Sequence, residues 1–368
     1  MKTQVGISLR KYRRLCSQRS DGAINRLGTG LLVFLIIMGL GIAPDLIAQP
    51  EEEIYIAWWN VENLFDLVDD PGVEDEEFTP LGENRWDRER LRAKFHSLTR
   101  VLSEMNEGKG PDLLGLGEVE NRNVLEQWRD TDLEKFHYGY ALHESPDERG
   151  IDLAVLYRRD LFSLIAVRGH SISLGEESGP TRDVSVFTFT AAGDTLDCVL
   201  VHWPSRYGGR EETEPLRIRA ATVTRRVVDS LYSVRKNDDI LLMGDFNDEP
   251  TNISVRETLQ QGMQPEKPAE AEQFRLYNAM IAVDTDPDRG TYYYDGEWNT
   301  LDQILLGRGL FRPEGFAAVS HDASVFVRSF MREQEGEYKD SPYRTYVGDR
   351  YLGGISDHFP VFIRITLN

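Results

Sequence analysis

Acidic, amide and histidine side chains end several apolar runs of the sequence. The run ILLMGDFND finishes on Asp245 and Asn247, and LDCVLVHW finishes on His202. Two further runs, IYIAWWNVEN and PDLLGLGEVEN, lead to Asn60 and Glu118. One such ending is ordinary, because turns favour Asp and Asn. A series of them predicts strands that bring hydrogen-bonding or metal-binding side chains to one end of a sheet.

The last third of the chain adds three more candidates of the same kind. Asp302 lies inside the apolar run NTLDQILLG, and Asp357 and His358 come just before the final apolar run. Oxygen ligands suit hard divalent cations, and a histidine held by a carboxylate can move a proton near neutral pH. These residue types therefore favour metal binding and proton transfer.

Strands and helices in alternation must position these residues. Apolar spacing predicts one helix from about Trp86 to Met105 and another from about Pro215 to Val234. The runs VSVFTFT and TLDCVLVHW are joined by Ala-Ala-Gly-Asp, which predicts a hairpin. Several strands must be antiparallel, so we predict an α/β (α+β) fold, a four-layer sandwich of two packed mixed β-sheets flanked by helices.

The first 49 of the 368 residues do not fit this core. Basic residues precede the apolar stretch LLVFLIIMGLGIA, and small Ala48 follows it. The pattern predicts a secretory signal over residues 1–49, cleaved near Ala48 or Gln49, and one domain over residues 54–368. The chain is then secreted or periplasmic. The long basic region leaves an N-terminal membrane anchor open, with membrane contact only if the leader is uncleaved.

Charge and cysteine content narrow the possible partners. The net charge is −20, and the leader carries seven basic and two acidic residues, so the remainder is at about −25. Such a chain cannot hold long nucleic acid by general electrostatics. Acidic residues 66–78 are interpreted as a solvated loop, since they lack the ligand spacing of a known calcium loop. Cys198 has no partner in the mature chain and is expected in the core.

Seven short blocks, taken together and in order, resemble the endonuclease/exonuclease/phosphatase superfamily, with deoxyribonuclease I among its members. The blocks are WNVEN, GEVEN, GIDLAVLY, HWPSR, GDFND, LDQIL and SDHFPV. They span about residues 54–367, and their order makes the resemblance specific. It implies two packed sheets with the active site at the mouth between them. It also implies hydrolysis of phosphoesters that depends on Mg²⁺ or Mn²⁺.

The resemblance, read with the residue types, predicts a metal site. Glu118 is expected to be the principal ligand, and Asn60 to add an amide oxygen. Glu62 and Asp357 match family positions near the metal.

The remaining motif residues are assigned to the reaction with water. Asp245 is expected to orient and deprotonate the water, and Asn247 to donate to a phosphate oxygen. On an extended segment both side chains would reach the mouth together. His358, oriented by Asp302, would hold or protonate a phosphate oxygen. His202 would contact phosphate or protonate the leaving group.

Three further residues have less defined roles. Arg206 and Arg210 follow His202 on a Gly-rich loop and could clamp phosphate, or could be ordinary surface arginines. Asp152, in RGIDLAVLY, could serve the site or the fold.

The sequence therefore predicts a metal-dependent phosphodiesterase, with nucleic acid or an oligonucleotide as the leading substrate class. A lipid phosphodiesterase or a phosphatase is the alternative among enzymes. A non-catalytic binding module on the same fold is disfavoured, because Glu118, Asp245, Asn247 and His358 are all present. No stable protein partner is implied.

The leader prediction can be tested on protein recovered outside the cytoplasm. Residues 1–48 should be missing from it, because the apolar stretch precedes a small-residue cleavage site. Intact-mass measurement checks this. Full-length protein found in the membrane fraction would replace secretion with anchoring.

Overall fold

The computed structural model describes residues 53–175, 178–235, 238–262 and 275–368. The predicted signal or anchor segment, residues 1–49, lies outside the described residues and stays a prediction. Within the described residues, no helix has both the length and the apolar character that crossing a bilayer requires.

The α-helices are α1 (Arg88–Leu102), α2 (Arg122–Thr131), α3 (Arg210–Val234) and α4 (Ile281–Asp284). The strands are β1 (Glu53–Leu64), β2 (Leu113–Val119), β3 (Tyr138–His143), β4 (Asp152–Arg158), β5 (Ser163–His170), β6 (Val184–Ala191), β7 (Asp194–His202), β8 (Ile240–Asp245), β9 (Leu276–Asn278), β10 (Tyr292–Tyr294), β11 (Glu297–Asn299), β12 (Asp302–Gly307), β13 (Phe316–Ala318), β14 (Ser324–Val325), β15 (Tyr346–Val347), β16 (Arg350–Tyr351) and β17 (Val361–Leu367).

Two mixed sheets form the centre of the fold. The first has the order β13-β17-β1-β2-β4-β3, with β14 also paired to β17, and the second has the order β5-β6-β7-β8-β12-β9. The β1–β2 and β7–β8 pairs are parallel, and the other ladders of these sheets are antiparallel. The presence of both parallel and antiparallel pairs confirms the prediction that the sheets are mixed.

Alternation along β1 shows how the layers form. Ile56 and Trp58 face the core between the two sheets, together with Leu200 and Met243 of the second sheet. Trp59, on the other face of β1, packs into the core under α1 and α2. A third core lies between the second sheet and α3. The predicted four-layer sandwich is thereby confirmed.

Helix α3 begins earlier than predicted. Pro215 lies inside the helix, and the first residue is Arg210. Buried Arg217 donates to the Arg210 carbonyl at 2.7 Å and to Thr213 Oγ1 at 2.7 Å. These bonds tie down the first turns, so the helix tolerates a proline that removes one backbone donor.

The predicted hairpin is present between β6 and β7. Ala191 pairs with Asp194, so Ala192 and Gly193 form a two-residue turn. Both turn residues have positive φ, 47° and 98°, as a tight turn between twisted strands requires.

The acidic loop that follows β1 is not simply solvated, contrary to the prediction for residues 66–78. Asp66, Asp75 and Phe78 are buried. The Phe78 ring stacks on Phe65 with their centroids 4.2 Å apart, and this contact draws the loop onto the core.

Close approach of β7 and β8 requires a glycine at position 244. An added Cβ would lie 2.0 Å from the Val201 carbonyl oxygen. We expect Gly244→Ala to lower the free energy of unfolding by about 3 kcal/mol, because backbone must move to relieve this clash. Gly115→Ala is the control: its Cβ would meet only side-chain atoms of Leu200 and Trp58, at 3.0 Å or more, so about 1 kcal/mol is expected. Urea unfolding measures both, and equal losses would contradict the argument.

Candidate active site

Strand pairing brings the ends of β7, β8 and β12 into one row. His202 is the register partner of Asp245 across β7–β8, and Asp245 is the partner of Asp302 across β8–β12. Asn60 is in β1 of the facing sheet, and its side chain also reaches Asp245. Four of the predicted residues, Asn60, His202, Asp245 and Asp302, therefore meet at one mouth between the two sheets.

Three nitrogen atoms converge on one carboxylate oxygen. Asp245 Oδ2 lies 3.2 Å from Asn60 Nδ2, 3.6 Å from His202 Nε2 and 3.8 Å from His358 Nε2. The other oxygen accepts the Asn247 backbone N–H at 2.8 Å. Burial raises the pKa of Asp245 to about 6, against the lowering effect of His358.

His358 forms a tight pair with Asp302. Its Nδ1 lies 2.6 Å from Asp302 Oδ2, and Trp58 Nε1 donates to Asp302 Oδ1 at 2.8 Å. Burial alone would lower the pKa of His358, but Asp302 and Asp357 outweigh burial and raise the pKa well above its ordinary value. The bond at Nδ1 leaves Nε2 facing the mouth, where it lies 3.9 Å from Asp357 Oδ1.

His202 has the opposite electrostatic character. Burial, supported by Arg182 and Arg149, lowers the pKa of His202 well below its ordinary value. Its Nε2 lies 4.0 Å from Glu118 Oε1, in addition to the contact with Asp245. Among the described residues, nothing hydrogen-bonds its buried Nδ1. The site thus combines one charged and one neutral imidazole near neutral pH.

Glu118 enters the mouth through an irregular strand end. It has φ of 60°, and the β2–β4 register shifts between Gly117 and Val119. Glu118 Oε2 accepts the Asn63 N–H at 2.9 Å, and Oε1 lies 3.3 Å from Asn60 Nδ2. Burial works to raise its pKa, but Arg149, His358 and these hydrogen bonds together lower it.

Asn60 is oriented differently from its predicted role as an oxygen ligand. Its Oδ1 accepts the Glu62 N–H at 3.0 Å, so the amide nitrogen faces Glu118 and Asp245. To supply its oxygen to a metal, the Asn60 amide would have to turn over and give up its present hydrogen bonds.

Glu62 also points elsewhere than the Asp245 cluster. Its two oxygens accept the backbone N–H groups of Thr345 at 2.6 Å and Tyr346 at 3.2 Å. Buried Lys94 donates to Thr345 Oγ1 at 2.7 Å. Burial, with Asp357 adding to it, raises the pKa of Glu62 to about 7, and burial lowers that of Lys94 to about 8. Glu62 therefore holds the start of β15, and binding a metal, as predicted, would require its side chain to take another orientation.

Asn247 does not continue an extended segment, contrary to expectation. Strand β8 ends at Asp245, and Asn247 has φ of 48°. Its N–H folds back on Asp245, and its Nδ2 donates to the Trp203 carbonyl at 3.0 Å. A primary amide has a second N–H, so donation to a substrate remains chemically open.

The two predicted phosphate clamps are engaged with the protein. Arg206 Nε donates to the Asn247 carbonyl at 2.7 Å, and its Nη1 donates to Asn299 Oδ1 at 2.8 Å. Arg210 Nη2 donates to Glu249 Oε2 at 2.9 Å. Arg206 thus holds the loop after β8, and neither guanidinium joins the histidines.

Asp152 has contacts that suit a role in the fold. Its Oδ1 accepts both the N–H of Ser145 at 2.8 Å and its hydroxyl at 2.6 Å. These bonds fix the chain between β3 and β4.

Sequence analysis did not identify several residues that border the mouth. Arg149 Nη2 lies 4.0 Å from Glu118 Oε2, and the Tyr292 ring centroid lies 4.8 Å from that of His358. Arg344 lies with its guanidinium carbon 5.9 Å from the Tyr292 ring centroid. Lys94 could have been found from the sequence, because it places a charged residue within the apolar stripe of α1. Arg149 and Arg344 have no local pattern, because loops bring them to the site, whereas Tyr292 lies in β10 within the aromatic segment GTYYYDGEWN.

Residues 55–367 match the family model described as Endonuclease/Exonuclease/phosphatase family. The chain belongs to this family of phosphoesterases, as the sequence blocks predicted. No curated protein matches the chain.

Solved structures share the fold at low sequence identity. D. rerio TDP2 complexed with single strand DNA product has a TM-score of 0.51 and 14% identity, over 86% of this chain and 100% of that one. The human Nocturnin catalytic domain with bound sulfate has 0.50 and 15%, over 86% and 95%. The mannosyl-6-phosphatase of Bacteroides thetaiotaomicron has 0.50 and 16%, over 85% and 100%. At these identities the likeness shows the fold alone.

The two histidines should titrate in opposite directions from free histidine. In metal-free protein we expect a raised pKa for His358 and a lowered one for His202. Asp302→Asn should lower the His358 pKa by about one to three units, since it removes the adjacent negative charge. Side-chain ¹⁵N NMR over a pH series measures both. Asp69→Asn, at an exposed position, is the matched control and should shift neither. An unchanged His358 pKa in Asp302→Asn would contradict this account.

Proposed function

We propose that this chain hydrolyses phosphodiester bonds of nucleic acid or oligonucleotide substrates and requires Mg²⁺ or Mn²⁺. The observation that carries the proposal is the convergence of Asn60, His202 and His358 on Asp245, with Glu118 beside them. A buried carboxylate surrounded by donors offers a base next to groups that can bind phosphate oxygens.

The donor set fits a hard divalent cation. Glu118 and Asp245 present carboxylate oxygens within reach of the same Asn60 amide, at 3.3 Å and 3.2 Å. Glu118 would be the principal ligand, and Asp357, partly exposed at the same mouth, could add a further oxygen. When bound, the cation supplies charge neutralisation for the phosphate oxygens.

The residues of this chain have distinct tasks in the proposed reaction. Asp245, with a pKa of about 6, is mostly ionised at pH 7 and can accept a proton from water held at its Oδ2. His358, kept charged by Asp302, can donate a hydrogen bond or a proton from Nε2 to a phosphate oxygen. His202, neutral, can donate a hydrogen bond from Nε2–H to the leaving oxygen or to phosphate, but in this state it has no acidic proton to transfer to the leaving oxygen.

Aromatic side chains support a nucleic acid as substrate. Tyr292 in β10 borders His358, and Trp298 in β11 packs on Tyr293 with ring centroids 5.1 Å apart. Partly buried aromatic rings at a site can stack with unpaired bases on the face that remains open, and Arg149 adds a cation at the mouth. The TDP2 complex with a single strand DNA product is consistent with this substrate class. The charge of about −25 on the mature chain favours short or single-stranded substrates over long duplexes.

The location we propose is secreted or periplasmic. It rests on the basic and apolar pattern of residues 1–49. An uncleaved leader would instead hold the enzyme at a membrane, where a lipid substrate becomes the alternative.

A substrate screen tests the proposal. Single-stranded and duplex oligonucleotides, RNA, sphingomyelin and a sugar phosphate would each be incubated with Mg²⁺, with Mn²⁺ and with chelator. We expect cleavage of single-stranded oligonucleotides with metal and none with chelator. Turnover of the lipid or the sugar phosphate alone would reassign the substrate, and full activity in chelator would remove the metal requirement.

Two variants in the same assay separate the assigned roles. Glu118→Gln should chiefly weaken metal affinity, so activity lost at low Mg²⁺ returns at least partly at high Mg²⁺. Asp245→Asn keeps the shape but removes the base, and kcat should fall on the order of 10² to 10⁴ with little recovery. Both must unfold near the parent temperature. The reverse pattern would exchange the two roles.

A further inference from the structure

A second group of buried carboxylates lies between the acidic loop and the end of β2. One oxygen each of Asp70, Asp75 and Glu120 lies within 4.8 Å of the others. Asp75 is 1% exposed and Glu120 3% exposed. Water therefore screens these charges poorly, and the protein or a ligand must compensate them.

The protein compensates only part of this charge. Asp75 Oδ2 accepts the Asp70 N–H at 3.0 Å, and Glu120 Oε2 accepts the Asp66 N–H at 2.5 Å. The other oxygens, Asp75 Oδ1 and Glu120 Oε1, are buried, and no N–H or hydroxyl donor among the described residues reaches them. Burial raises the pKa of Glu120 to about 9, so without a cation the two carboxyl groups can be satisfied only by a proton held between them. Across the residues that the structure describes, no Lys, Arg or His forms an ion pair with any of the three carboxylates.

Neighbouring side chains hold the three carboxylates in place, and the cluster borders solvent on the side of Asp70. Asn121 Nδ2 lies 3.3 Å from Asp70 Oδ2, while its Oδ1 caps α2 at the Val124 N–H, 2.9 Å away. Asp70 also lines a surface pocket of about 290 Å³, together with Asp66 and Asn121. A small ion can therefore enter from solvent on the side of Asp70.

We propose that Asp70, Asp75 and Glu120 bind one Ca²⁺. Two buried carboxyl oxygens that no protein donor reaches and a third carboxylate at the entrance form an all-oxygen site, which becomes strongly negative when a cation displaces the proton of Glu120. Ca²⁺ accepts six to eight such oxygens in irregular geometry, and loop carbonyls and water can complete the shell. Mg²⁺ demands a tighter octahedron, which an irregular loop fits less well.

The bound ion would join the acidic loop to the strand end that carries Glu118. The Glu120 N–H donates to the Leu64 carbonyl at 3.1 Å, and Asn63 N–H donates to Glu118 Oε2 at 2.9 Å. The ion would thus fix the segment from Glu118 to Glu120 from outside the mouth. This is a structural site, and its existence does not depend on the substrate proposed above.

Calorimetric titration of chelator-treated protein with CaCl₂ tests the proposal. The full chain would carry Glu118→Gln and Asp245→Asn, so that ion binding at the catalytic mouth is weakened and the two sites can be told apart by affinity. We expect one Ca²⁺ per chain, and a rise in Tm of roughly 4 °C at about 100 times Kd. Mg²⁺ should bind more weakly.

Substitutions in this background identify the ligands. Asp75→Asn should abolish Ca²⁺ binding, and its Tm in chelator should equal or exceed that of the background, because it removes an uncompensated charge. Asp70→Asn, at a less buried position, should weaken binding at least about tenfold and serves if Asp75→Asn does not fold. Asp69→Asn, exposed in the same loop, is the matched control and should bind normally.

Several results would overturn the proposal. These are the absence of Ca²⁺ binding, binding of Mg²⁺ but not Ca²⁺, or retention of binding in both Asp75→Asn and Asp70→Asn. The facing oxygens of Asp75 and Glu120 could instead share a proton. In that case Ca²⁺ would leave Tm unchanged, and stability in chelator would fall as the pH rises.

Discussion

Asp245 and Asp302 occupy opposite positions of the antiparallel β8–β12 pair, so two carboxylates are buried side by side at the mouth between the sheets. Such a pair repels itself unless positive charge or hydrogen-bond donors meet it. His358 lies between them, bonded to Asp302 at 2.6 Å and 3.8 Å from Asp245. The chain before β17 must therefore place His358 there, and Trp58 of β1 must turn its indole N–H to Asp302. The bonds of Asp302 to Trp58 and His358 therefore fix how the two sheets are positioned against each other.

Backbone geometry makes the second contribution to the mouth. Glu62, Asn63, Glu118 and Asn247 all have positive φ, an uncommon conformation for residues with a side chain. Each lies where a strand stops being regular, and each redirects a side chain or an N–H. Asn63 and Asn247 turn their N–H groups to Glu118 and Asp245 respectively. Strain of this kind persists only where surrounding contacts determine it, and it concentrates at functional sites.

The sequence predicted the layers, and it predicted that Asp245, His202, Asp302 and His358 would meet. Apolar period and motif order carry that information, because strand pairing converts order into proximity. Local detail was less accessible. An extended path through Asn247 was the simplest expectation, but its positive φ and the bond from its N–H to Asp245 show a turn. In the sequence Arg206 looks like a cation free to bind phosphate. In the structure its guanidinium is hydrogen-bonded to the Asn247 carbonyl and to Asn299 Oδ1. Arg149 reaches Glu118 from a loop, and no periodicity encodes such a contact.

The two buried acidic groups are compensated in different ways. At the mouth, His358 and the Asn60 amide meet Asp245, so charge and hydrogen bonding are supplied by the chain. In the acidic loop, backbone N–H groups meet only one oxygen each of Asp75 and Glu120. The two groups share the segment in which Glu118, left-handed and turned inward, precedes Glu120 by two residues. The ion that we propose at Glu120 would therefore act on the short piece of backbone that aims Glu118, and would link the position of that carboxylate to the charge balance of the acidic loop.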